Sequence, residues 1–111
     1  MDKICINIKN DFSDSPGARY KKDGPHSGEQ FYEEILKPRF KEAIDKGVIL
    51  EIDLDGVWGY PSSFVSGSFG KLSLEYGANK VLESIVFISN DSETRKERII
   101  EEIKNPTQKA K

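Results

Sequence analysis

Two serines, Ser62 and Ser63, stand at the end of the segment Val-Ile-Leu-Glu-Ile-Asp-Leu-Asp-Gly-Val-Trp-Gly-Tyr-Pro-Ser-Ser-Phe, residues 48–64. An apolar run leads into an acidic turn, and the serines fall where a helix should begin. A serine hydroxyl at such a junction has two uses. It caps the helix, where Ser is preferred over Ala by about 1 kcal/mol. It also carries phosphate, which the free N–H groups and positive dipole end of a helix stabilise. A phosphoserine there changes the outer surface by about two charges. Either Ser62 or Ser63 is expected to make the cap, and the two uses do not exclude each other.

Asp53 and Asp55 are the second pair with chemical potential. Two apart on a strand, they share a side at roughly 7 Å, which suits a metal or an acid–base pair. Gly56 favours the simpler reading, a strand end followed by an Asp-Gly turn, and no third ligand for a hard cation is apparent. A third group lies in the loop from Gly17 to His26, where Arg19, Lys21, Lys22 and His26 form a candidate anion-binding loop. Glycines there allow close backbone approach, and arginine grips phosphate or carboxylate through two nitrogens. The bland alternative is a solvated hairpin tip. Arg19 is the member most expected to have a partner, either Asp53 or Asp55, or the phosphate of a ligand.

His26 is the only histidine. As a general base it lacks an identifiable serine or cysteine nucleophile nearby, and a zinc site would need carboxylates for most of its ligands. A surface or capping role is expected. Cys5 is the only cysteine, so no disulfide framework exists, and on a strand it serves as a small apolar residue. Trp58 and Tyr60 sit between strand and helix, either covering the core edge or anchoring an interface.

These residues need a scaffold. The 111 residues imply one domain with one small core. Acidic and basic totals nearly cancel at net −2, so no global field points to nucleic acid or an anionic membrane. No signal peptide or long apolar run is visible, and a soluble, cytoplasmic chain without a cofactor loop is expected.

Ile4, Ile6 and Ile8 alternate with polar residues and predict a strand. Arg19 to Lys22 fits a short second strand of a hairpin. A helix should start near Ser27, with Ser27 and Gln30 at capping-box spacing. Phe31, Ile35, Phe40, Ala43 and Ile44 keep roughly one face of it, Pro38 should kink or divide it, and Gly47 should stop it. Residues 48–54 form the strongest strand, with Val48, Leu50, Ile52 and Leu54 on one face. Val65, Phe69, Leu72 and Tyr76 line one side of a helix from Ser63 to about Tyr76, closed by Gly77 and weakened locally by Gly67. Residues 84–88 predict a third strand. Asn90, Asp91 and Ser92 offer caps for a last helix over 93–104, whose apolar side is Ile99, Ile100 and Ile103. The domain should span 1–104 and 105–111 should be a frayed tail. Alternating strands and helices imply parallel strands with right-handed crossovers. The fold class is therefore α/β, a small sandwich with a mixed, mostly parallel sheet and helices on one face.

Several motifs in order resemble a known family. They are Gly17-x-Arg19, Asp23-Gly24-Pro25-x-Ser27-Gly28-Glu29-x-Phe31, Leu36-x-Pro38, Asp53-Leu54-Asp55-Gly56, and Ser62-Ser63-Phe64 with Phe69-Gly70. Together they look like the bacterial and phage STAS-like domain of unknown function, over a span from about Ile4 to Ile103. That family is linked in some proteins to a histidine-kinase-like ATPase domain of the anti-sigma type. The central segment also resembles true STAS domains, the anti-sigma-factor-antagonist fold. There an Asp-Ser-Ser-Gly turn carries a serine phosphorylated by the partner kinase. Laid on this chain, the four positions fall on Pro61, Ser62, Ser63 and Phe64, so the resemblance implies Ser63 as phosphoacceptor, with Ser62 second. Pro61 and Phe64 replace the acid and the glycine, and Val65-Ser66-Gly67 stand where acidic residues are common.

The leading expectation is a non-enzymatic, partner-switching signalling domain that binds an ATPase or serine-kinase protein through the helix start and the Trp58–Tyr60 loop. Arg19, Lys21, Lys22, His26, Asp55, Trp58, Tyr60 and Phe64 are the candidate partner or anion contacts. A nucleotide- or anion-binding sensor using the Arg19 loop is the second expectation. A metal-dependent enzyme using Asp53, Asp55 and His26 is the third, ranked last because no site is complete.

Overall fold

Apolar alternation builds a three-stranded sheet in the computed structural model, which describes residues 3–107. Strands β1 (Lys3–Asn7), β2 (Ile49–Asp53) and β3 (Ile85–Ile88) lie in the order β1-β2-β3. Both pairings are parallel, with Ile4 opposite Leu50 opposite Ile85, and Ile6 opposite Ile52 opposite Phe87. These residues share one face, where Ile6, Leu50, Ile52 and Ile85 are buried. The other face carries Cys5, Val86 and the Lys3–Glu51 ion pair at 2.8 Å, and no described element covers it. Two crossovers step the same way across the sheet, and with the right-handed connection that parallel strands favour this puts the helices on one side.

The first crossover begins with a short helical turn, α1 (Ile8–Asp11), which claims Ile8 from the expected strand. Asn7 causes the change: its side chain accepts the Asn10 N–H and turns the chain out of the sheet. The expected hairpin strand at 19–22 does not form. Residues Lys21–Asp23 make a 3-10 turn instead, so the described sheet is wholly parallel rather than mixed. The backbone here is engaged elsewhere, because the Ala18 and Arg19 carbonyls accept the Gly28 and Glu29 N–H groups at 2.8 and 2.9 Å.

The helix α2 covers residues 28–46 without a break, as an α-turn (Gly28–Phe31), a π-turn (Tyr32–Leu36) and an α-segment (Lys37–Lys46). Ser27 caps it by accepting the Gln30 N–H at 3.0 Å, but Gln30 reaches back to the His26 N–H rather than to that of Ser27. Pro38 neither ends nor divides the helix. Its ring would strike the carbonyl four residues back in a straight α-helix, and the π-turn ahead of it opens that spacing: the Lys37 N–H bonds to the Tyr32 carbonyl, five back. The same extra residue explains why Phe31, Leu36 and Phe40 are all fully buried despite their uneven spacing. Gly47, at φ 68°, closes the helix as expected.

The second crossover is α3, residues 62–76, again with an internal π-turn at Ser66–Gly70. Gly77 does not release the chain into a loop. It bends it at φ 93° into a further helix, α4 (Ala78–Ser84), so β3 starts at Ile85 rather than at 84. The final helix α5 (Glu93–Lys104) is capped by Ser92, which accepts the Arg95 N–H. Its Ile99 and Ile103 enter the core. Thr107 hydrogen-bonds to Glu102 and Ser66, so the described start of the expected tail is docked. Its remainder, 108–111, lies outside the described residues.

Candidate functional site

The turn that joins β2 to α3 is built from its acids outward. Asp53 Oδ1 accepts the Asp55 N–H at 2.9 Å and folds the strand end back on itself. The Asp55 carboxylate then accepts three donors from the β3–α5 loop: the N–H groups of Asn90 and Asp91 at 2.7 and 2.8 Å, and the Asn90 side-chain amide at 3.0 Å. Asp91 returns the link by accepting the Gly56 N–H at 2.8 Å. The Asp91 N–H above all, then Asn90 and the charge of Arg95, hold the Asp55 carboxyl below the usual carboxylate range.

Arg95 on α5 locks the next residues. Its Nη1 donates to the Val57 carbonyl at 2.7 Å and its Nη2 to the Trp58 carbonyl at 3.0 Å, with the guanidinium 5.9 Å from the Tyr60 ring centroid. The Trp58 N–H donates to the Asp14 carbonyl at 2.8 Å. Val57 is buried, Trp58 points the other way, and its side chain leaves the residue 81% exposed. Tyr60 donates its hydroxyl to the Leu54 carbonyl at 2.8 Å, and burial pushes its phenol well up. The turn therefore presents one large aromatic group to solvent on a backbone held from both sides.

Neither serine caps α3. Pro61, extended at φ −56° and ψ 143°, occupies the cap position, and its carbonyl receives the Val65 N–H at 3.1 Å. Ser62 and Ser63 are the first two residues of the helix, the former exposed and the latter half-buried. Phe64 belongs to the interior. It is fully buried, with ring centroids 5.6 to 6.2 Å from those of Phe31, Phe12 and Tyr60. It fixes the helix start and is not itself a surface contact. Beside Ser62 a cleft of about 460 Å³ opens between α3 and α5, lined by Tyr60, Val65, Arg98 and Glu101 among others.

The loop cations do not converge. Lys21 pairs with Glu33, and Lys22 lies over the Tyr20 ring at 5.7 Å. His26, exposed at φ 57°, meets the edge of Phe12 at 5.6 Å. Neither Asp53 nor Asp55 pairs with Arg19, whose partly buried side chain has an unbonded Nε. No group of three His, Cys, Asp or Glu side chains that could hold a metal gathers among the described residues. No helix among them is long and apolar enough to cross a membrane.

Asp55, Trp58, Tyr60 and Ser63 are thus brought to one turn, whereas Arg19, Lys21, Lys22 and His26 belong to a separate loop. Arg95 went unrecognised from sequence because its role depends on carbonyls far away in the chain. A family model described as the STAS-like domain of unknown function matches residues 27–95. The match takes in this whole turn together with Arg95 and stops short of Arg19 and Lys21 to His26. No curated protein and no solved structure matches the chain significantly.

Proposed function

The chain belongs to the STAS-like family of domains of unknown function, and on that premise we propose that it is a non-enzymatic regulatory domain that binds a protein partner. The partner is an ATPase of the histidine-kinase-like, anti-sigma type, in a cytoplasmic bacterial or phage setting. Phosphorylation of Ser63 switches the contact. One observation carries this reading: an exposed Trp58, on a backbone clamped by Arg95 and Asp14, stands a few residues before a helix start whose serines are not used as caps. A rigid, exposed aromatic is the residue type that anchors interfaces. A phosphate added beside it alters the same surface by charge and by the cost of desolvating that charge.

The other readings have less support. Lys21 and Lys22 are already engaged by Glu33 and Tyr20, so an anion sensor loses two of its three cations. Both acids of the enzyme reading accept backbone N–H groups that shape the turn.

The test is incubation with a histidine-kinase-like ATPase of the anti-sigma type, taken from the gene's neighbourhood where one is encoded there, in ATP, read by intact mass. One phosphate should appear on the native chain and on Ser62→Ala, and none on Ser63→Ala. An unmodified native chain, or equal labelling of Ser63→Ala, defeats the switch.

A further inference from the structure

We propose that Arg19 is the receptor, within the same chain, for a phosphate on Ser63. This deepens the reading of Ser63 as phosphoacceptor and rests on it. The loop before α2 is fastened so that Arg19 lies against α3. The Arg19 carbonyl accepts the Glu29 N–H at 2.9 Å and the Ala18 carbonyl accepts the Gly28 N–H at 2.8 Å. Gly67 of α3 leaves room for the crossing: a Cβ there would sit 2.9 Å from the Arg19 carbonyl oxygen and 3.0 Å from its Cγ. The Arg19 side chain therefore runs over the surface of Gly67.

Ser63 precedes Gly67 by four residues, about one turn, which places both on one side of the helix even with the π-turn that begins at Ser66. A side chain at 63 leans toward the helix start, one turn ahead of the point where Arg19 crosses α3 at Gly67, a gap that an extended arginine and a phosphate together can span. Its hydroxyl is not committed to a cap. Arg19 is equally uncommitted. Its Nε is the one buried side-chain polar atom without a hydrogen-bond partner among the described residues. Guanidinium and phosphate match as a two-nitrogen, two-oxygen pair, which a lysine does not reproduce. Ser62, by contrast, faces the cleft with Arg98 and Glu101 on the α5 side, so the receptor distinguishes the two serines.

The experiment removes dependence on any kinase by placing phosphoserine at position 63 during translation. The second ionisation of the phosphate is then followed by phosphorus NMR against pH. In the otherwise native chain its midpoint should fall about one unit below the ordinary value near 6. In Arg19→Gln it should rise clearly toward that value, keeping only the smaller depression that the helix N-terminus supplies, and Arg19→Lys should fall between the two. The midpoint of phosphoserine at position 62, which faces the cleft instead, should not change in Arg19→Gln. Should Arg19→Gln fail to fold, Arg19→Lys decides. Equal midpoints with and without the arginine overturn the receptor. A depressed midpoint together with no labelling by the anti-sigma-type ATPase keeps the receptor and discards the switch.

Discussion

At the scale of single residues, Asp55 and Trp58 divide the work between shape and contact. Asp55 joins two loops through three accepted hydrogen bonds. Asp55→Ala leaves the Asn90 and Asp91 N–H groups without their acceptor, and should lower stability by about 2 kcal/mol in urea unfolding. The pH dependence has a definite sign. Because folding depresses this carboxyl, its contribution is complete above the unfolded value near 4 and fades as pH falls through the lower folded value. The stability gap between the native chain and Asp55→Asn should therefore be widest near neutrality and close below about pH 4. Trp58→Ala should do the reverse. At 81% exposure the indole contributes little to folding, so stability should hold within about 0.5 kcal/mol. Affinity for the partner should drop by tenfold or more, the mark of an interface anchor, measured by titration calorimetry.

At the scale of elements, glycines set how closely the helices approach. A Cβ on Gly28 would stand 2.5 Å from the Phe64 carbonyl oxygen, a backbone atom that cannot move alone. A Cβ on Gly70 would meet the carboxylate end of Glu102 at 2.7 Å, a side chain that can swing aside by giving up its hydrogen bonds from Thr107. Gly28→Ala should cost about 2 kcal/mol or more as an overpacked contact. Gly70→Ala should cost less than Gly28→Ala, since alanine's helix preference offsets part of the loss of the Thr107–Glu102 bonds. Thermal unfolding of both variants checks the ordering. The same elements show what the sequence could disclose. Period-two alternation marked β1 and β2, and Ser27, Gly47 and Ser92 marked helix ends, because these signals are local. The π-turns ahead of Pro38 and around Gly67 carry no such signal, since an inserted residue only appears as uneven apolar spacing. Helix α4 escaped because Gly77 reads as a stop although its φ of 93° here merely bends the chain into another helix. At the site, the turn at Asp55 was legible from its Asp-Gly pair, whereas the expected serine cap does not form because Pro61 takes the cap position. The clamp by Arg95 and the burial of Phe64 were not, because each depends on atoms brought from remote segments.

At the scale of the whole molecule, the sheet is covered on one face only by the described residues. Parallel sheets usually carry helices on both faces. Here the second face is kept polar in part by the Lys3–Glu51 pair, with Ile49 and Val86 left open beside it. Cys5 lies on that face and is exposed. Its thiol should react fully with Ellman's reagent in native buffer, and adding urea should not raise the stoichiometry.

The chain has a single tryptophan, and that indole stands in water while the rest of its residue is pinned. Its fluorescence is consequently blind to folding and alert to company. Emission from the native protein should already lie at the red limit and barely move in urea, so unfolding has to be followed by circular dichroism. A partner seated on the turn should shift the colour to the blue and shield the indole from acrylamide quenching. The one native indole thus serves as a label-free gauge of association.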